Sequence, residues 1–165
     1  MAETIAFVLR NLPVFLFVAA LVFAWLSRSG GTTADRLLAW ILLLPIGVSG
    51  LWAAVFHLFF PDVAAADIGW EPSPFQFEVG MADLAMGATA CVSFWRSLDF
   101  KAAVVIINAI FLLGDAIGHV GQMIAAGDFA PGNVGVPFFG DIAFPVLALI
   151  LLIVAQRSES APRIS

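Results

Sequence analysis

Five long apolar stretches alternate with four polar gaps along the chain. They run from about Ile5 to Ser27, Asp35 to Phe60, Phe75 to Arg96, Phe100 to Ala125 and Val136 to Gln156. Each is close to the roughly 20 residues a helix needs to cross about 30 Å of hydrocarbon. The pattern therefore predicts an all-α fold, a polytopic transmembrane bundle of five spanning helices in one integral membrane domain over residues 1–165. Pro13, Pro45 and Pro145 fall within the first, second and fifth stretches. Membrane helices tolerate such prolines where neighbours satisfy the freed carbonyl. The first gap is rich in Gly and Thr and ends in a helix-start signal, with Thr33 or Asp35 as N-cap. The last gap holds the turn-forming run Ala130-Pro131-Gly132-Asn133.

Charge orients the pattern. Six of the seven basic residues occupy alternate gaps: Arg28 and Arg36, Arg96 and Lys101, and Arg157 and Arg163 of the tail. The gap between the second and third stretches is acidic instead, with Asp62, Asp67 and Glu71. By the positive-inside rule the basic gaps and the C-terminus are cytoplasmic, which puts the N-terminus and both acidic loops outside. Arg10 alone breaks the rule. The N-terminus lacks the basic region and cleavage site of a secretory signal, so the first stretch is expected to stay as a helix. The expected location is the cell membrane, as a multi-pass protein of the bacterial inner membrane.

Composition agrees, with 62% hydrophobic and 12% charged residues. Mean hydropathy is +1.03, whereas soluble domains average about 45–50% apolar and about 25% charged. The lipid bilayer is thus the first partner. A net charge of −5 without a basic, aromatic-interleaved patch excludes nucleic acid. Cys91 is the only cysteine, which removes an internal disulfide and a cysteine-based metal centre. Trp25, Trp40, Trp70 and Trp95 fall near helix ends as interface anchors, and Trp52 sits deeper.

Ionisable side chains inside a bilayer are costly, so each is a candidate for function. His57, Glu78, Asp83, Asp115, His119 and Asp141 lie within or at the ends of the stretches. At about 1.5 Å of rise per residue, they gather in the outer third of the membrane, Asp83 slightly deeper. Asn108, Phe111, Asp115, Gly118, His119 and Gln122 share one face of the fourth helix. Asp115 and His119 stand one turn apart, a spacing for one shared ion or for each other. Gly114 and Gly118 would admit a neighbouring helix. Gly80, Asp83 and Gly87 share a face of the third helix, with Glu78 pointing well away, and Arg10 lies level with Glu78 as an ion-pair partner. The candidate site is Glu78, Asp115 and His119, with His57, Asp141 and Asp83 behind them. Carboxylate and imidazole donors suit Zn, Fe or Mn, for which Asp115, His119 and Glu78 would be ligands.

The run Gly69-Trp70-Glu71-Pro72-Ser73-Pro74-Phe75-Gln76-Phe77-Glu78-Val79-Gly80, with His119 and Pro131-Gly132-Asn133-Val134-Gly135 further on, resembles a family of small bacterial multi-pass membrane proteins of unknown function. That resemblance points to Glu78 and His119 and implies no known reaction. A Glu opening a Gly-containing helix is also faintly similar to DoxX-like membrane proteins, some linked to quinone-dependent redox chemistry, though those usually have four helices. The leading expectation is a carboxylate/histidine cluster that binds a divalent metal or a small polar ligand. Its rivals are an ion- or proton-coupled small transporter or channel, which would need a homo-oligomer, and a structural or assembly subunit of a larger membrane complex. As an enzyme it would be a membrane-embedded metal-dependent or quinone-linked oxidoreductase, but no nucleophile motif or cofactor fingerprint is present.

Overall fold

A computed structural model describes residues 7, 8, 10–27 and 31–160. The expected helix start at Ile5, and Arg28 and Arg163 of the basic clusters, lie outside the described residues. The chain forms α1 (Leu12–Leu26), α2 (Thr33–Phe59), α3 (Pro61–Ile68), α4 (Phe75–Ser93), α5 (Leu98–Ala126), α6 (Pro131–Val134) and α7 (Val136–Ser160). All five expected stretches are helical. The short helices α3 and α6 fall in gaps read from sequence as loops. Three helices are long and apolar enough to cross a membrane by length and composition, Thr33–Phe59, Leu98–Ala126 and Pro131–Glu159. Leu12–Leu26 is a shorter apolar helix.

Local chemistry sets the boundaries. The N-cap of α2 is Thr32, not Thr33 or Asp35: its Oγ1 accepts from the Asp35 backbone N–H at 3.1 Å, satisfying one unpaired donor of the first turn. Ser97 caps α5 in the same way through Phe100. Pro61 opens α3, and Gly69 closes it at φ +88°, a left-handed conformation that favours glycine. Within α2, Leu42–Val48 is π-helical around Pro45. A proline ring crowds the carbonyl one turn back and offers no N–H; the wider turn is where α2 absorbs both.

Contacts between ends fix the directions of the helices. At one end Trp40 Nε1 donates to Ser27 Oγ at 3.1 Å, and Lys101 pairs with Asp35 at 3.1 Å. At the other, Arg10 pairs with Asp67 at 3.0 Å and His57 meets Gln76. Thus α2 and α5 run opposite to α1, α4 and α7. An apolar core built from Ala20, Leu38, Ile41, Leu42, Ala90, Val104, Val105, Ala148 and Leu152 lies towards the Lys101 end.

Glycines bring α2 and α4 into close contact. A methyl group on Gly87 would sit 2.7 Å from the Leu51 nitrogen and 2.9 Å from the Gly47 carbonyl. One on Gly50 would meet the Gly87 Cα at 3.2 Å, and one on Gly80 would lie 2.8 Å from Leu58 Cγ. The two backbones touch directly, as small-residue faces allow in membrane helices. By contrast, Gly114 and Gly118 have nothing within 4 Å of an added Cβ, so the helix contact expected there is not made among the described residues.

Gly87→Leu must push α2 and α4 apart. Overpacking of this kind costs about 1–3 kcal/mol, more where the obstacle is backbone. The expected result is a lowered thermal midpoint of the detergent-purified protein, while Gly114→Leu leaves it near that of wild type.

Candidate functional site

The glycine contact brings α2 against the opening half of α4, and so places His57 beside two α4 side chains. Its Nδ1 lies 2.5 Å from Gln76 Oε1, and its Nε2 is 4.0 Å from Asp83 Oδ2. Gln76, Gly80, Asp83 and Gly87 form the buried face of this helix, spaced three or four residues apart. Glu78 is exposed on another side. It does not join the cluster, and it does not pair with Arg10, which is bound to Asp67 of α3 instead.

His119 repeats the arrangement on the far side. Its Nδ1 lies 2.6 Å from Asn133 Oδ1, and its Nε2 is 3.6 Å from Asp141 Oδ2 on α7. Asn133 is fully buried, and its Nδ2 donates to the Asp128 carbonyl at 2.8 Å and to the His119 carbonyl at 3.4 Å. Those two acceptors decide which way the amide faces. Its oxygen must point at the ring, so Nδ1 carries the hydrogen and Nε2 is left towards Asp141.

The motif Pro131-Gly132-Asn133-Val134-Gly135 thereby gains a physical reading. Pro131 opens α6, where a missing N–H costs nothing. Gly132 lets the turn approach α3, since a methyl there would be 2.6 Å from the Asp67 carbonyl oxygen. Asp128 Oδ1 accepts from the Ala130 N–H at 2.9 Å and shapes the loop ahead of it. Asn133 is then delivered onto His119. On the other side, the left-handed turn at Gly69 directs Trp70 towards the same imidazole, with ring centres 6.3 Å apart, and Phe138 lies at an equal distance edge-on. Trp52, by contrast, packs edge-to-face on Phe56 at 4.9 Å.

Asp115 completes the group. Its charge acts on Asp83 and on Asp141, and His119 acts on it in turn. The expected direct bond between Asp115 and His119 is not formed, because both ring nitrogens face other partners. The site therefore contains three aspartates from α4, α5 and α7 between two imidazoles. The nearest bases are engaged elsewhere, Arg10 with Asp67 and Lys101 with Asp35.

Of the six sequence candidates, His57, Asp83, Asp115, His119 and Asp141 come together and Glu78 stands apart. Among the described residues, no three His, Cys, Asp or Glu side chains are placed to hold one metal ion. Residue reading missed the amides Gln76 and Asn133. Both stood inside the two quoted motifs, which was the available signal.

No curated protein and no solved structure shows significant similarity to this chain. A family model does, matching residues 10–161 and so nearly the whole length. That agrees with the uncharacterised family expected from the motifs, and lends nothing to the DoxX-like likeness. The chain belongs to DUF6790, a family of unknown function.

Proposed function

We propose that this protein is a multi-pass integral membrane protein whose five longer helices cross the bilayer as one domain, with the Lys101 end inside the cell. In this reading, the layer formed by His57, Asp83, Asp115, Asp141 and His119 takes up and releases protons from the outer side. The five-span reading is supported by α1 and α4 packing along α2, which would place them at its depth. The charge asymmetry of the two ends supports the orientation.

The observation that carries the proton reading is the grip of Asn133 on His119. With the hydrogen held at Nδ1, a neutral ring presents a lone pair at Nε2 to the carboxylate of Asp141, 3.6 Å away. Two electron-rich atoms are stable at that separation only with positive charge between them or on one of them. His57 and Asp83 repeat the problem at 4.0 Å, and Asp115 adds a third carboxylate, acted on by His119. In a low-dielectric layer such charge has to be balanced nearby. A divalent cation would balance it too, but among the described residues no three His, Cys, Asp or Glu side chains are placed to hold one, so protons are the occupants adopted here.

Purified protein should take up protons at the aspartate layer as the pH is lowered, in spread rather than single-step fashion because neighbouring carboxylates repel. Potentiometric titration against Asp115→Asn and Asp141→Asn checks this; each variant should lose part of the uptake. Elemental analysis runs alongside. Stoichiometric metal that disappears in His119→Ala would replace the proton reading with a metal site.

Asn133→Ala gives a sharper readout. Nitrogen shifts of labelled histidine should report His119 with hydrogen on Nδ1 in wild type, and a mixture of tautomers in the variant. The same change strips partners from buried groups, costing about 1–3 kcal/mol for each left unsatisfied, so the thermal midpoint should fall as well.

A further inference from the structure

The proton layer occupies one end of α5, yet the polar face of that helix does not stop there. Lys101, Asn108, Asp115 and Gln122 recur at intervals of seven residues. Seven residues are two turns with a slip of about 20°, so the four positions form one gently drifting stripe. The stripe extends for about 31 Å, close to the thickness of the hydrocarbon. Two members are unusually buried for their type, Lys101 at 5% and Asn108 at 4% exposure. Exposed isoleucines, Ile110, Ile117 and Ile124, mark the opposite side of the helix.

Three of the four have identifiable neighbours. Lys101 Nζ is held by Asp35 Oδ1 of α2 at 3.1 Å, and Asp35 is itself part-exposed at the basic end. Asn108 Nδ2 donates to its own helix at the Val104 carbonyl, 2.9 Å away, and buried Val104, Val105 and Ala109 flank it in sequence. Asp115 meets the charges of Asp83 from α4, Asp141 from α7 and its own His119. A long apolar face would have served packing equally well at position 108. A carboxamide there, midway between two ionisable stations, has a use as a hydrogen-bonding step.

We propose that α5 carries protons through the membrane, from the outer aspartate layer past Asn108 to the Lys101–Asp35 pair at the inner end. This rests on the proton-layer reading and extends it from binding to transfer. A proton bound at Asp115 leaves its carboxyl oxygen for intervening water, passes along hydrogen bonds oriented by the Asn108 carboxamide, and reaches the Asp35 carboxylate, which releases it to the inner side. Lys101 holds Asp35 at the exit. One proton crosses for each one taken up, driven by the gradient or potential, with no bond to another atom made and no electron moved. Successive stations are about 10 Å apart, with Val104 and Val105 in the inner interval, so passage is slow and gated by hydration, unlike that of an open pore.

The test is proton flux into liposomes holding the full chain and a trapped pH-sensitive dye, driven by a potassium diffusion potential. Wild type should acidify the lumen under an inward driving potential faster than empty liposomes. Asn108→Leu and Lys101→Met should each reduce the rate to that of empty liposomes while keeping the proton uptake of the outer layer in the titration above. Asn108→Ser, which keeps a hydrogen-bonding group, should retain flux and guards against a folding artefact in the leucine variant. Wild-type flux at the empty-liposome level with the layer still titrating overturns transfer alone. Flux unchanged in Asn108→Leu overturns the route. A layer that does not titrate at all overturns the binding reading and this one together.

Discussion

Direct backbone contact between α2 and α4 is the constraint on which the rest of the site depends. Gly50 and Gly87 let the helices meet backbone to backbone, and Gly47 makes room for the Cys91 side chain. At the Gly80 level, the approach leaves only enough room for the Leu58 and His57 side chains. That is why the ring of His57 reaches both Gln76 and Asp83 across the interface. Were the helices at ordinary side-chain separation, an imidazole on α2 would span that gap to neither residue. The π turn around Pro45 runs into this contact at Gly47 and ends at Val48. The adjustment that proline forces on α2 therefore falls just ahead of the half of the helix that carries the site.

The fold was largely legible because bilayer-length apolar stretches and their punctuation are coarse signals. All five stretches are helices, and their starts and ends differ from expectation by only a few residues except at the N-terminus of α1. The short helices α3 and α6 were not legible. Asp62, Asp67, Pro131 and Gly132 read equally well as loop residues, and what makes these segments helical is their packing against each other. The site was half legible. Depth counting brought His57, Asp83, Asp115, His119 and Asp141 level because rise per residue is nearly constant. It could not tell which way each pointed around the bundle, so Glu78 was given a place that its exposed position rules out. The Arg10 partner was misassigned for a related reason: Asp67 belongs to a helix the sequence did not announce, and that helix stands nearer.

Charge is distributed unequally along the bundle axis. Towards one end Lys101 and Asp35 neutralise each other directly. Towards the other, Asp83 and Asp141 face His57 and His119, while Arg10 is taken up by Asp67. Between them lies the apolar core containing Leu38, Ile41, Leu42, Val104 and Val105. A low-dielectric barrier of this kind strengthens any charge interaction at its borders and makes an unbalanced one more costly. The carboxylates beside the two imidazoles lack the direct neutralisation that Asp35 receives from Lys101. Asn108 is the polar interruption in the barrier, neutral and so tolerable where a charge would not be.

The partners chosen for the two Nδ1 atoms sharpen this contrast. A carboxylate at that position would favour the imidazolium form and leave the ring charged over a broad pH range. An amide oxygen accepts the same hydrogen without bringing charge of its own, so it orients the ring without fixing its protonation. Gln76 and Asn133 both have this character, and Asn133 is held in place by two carbonyl acceptors that cannot ionise. The carboxylates are reserved for the Nε2 side, at 3.6 and 4.0 Å, beyond a close hydrogen bond.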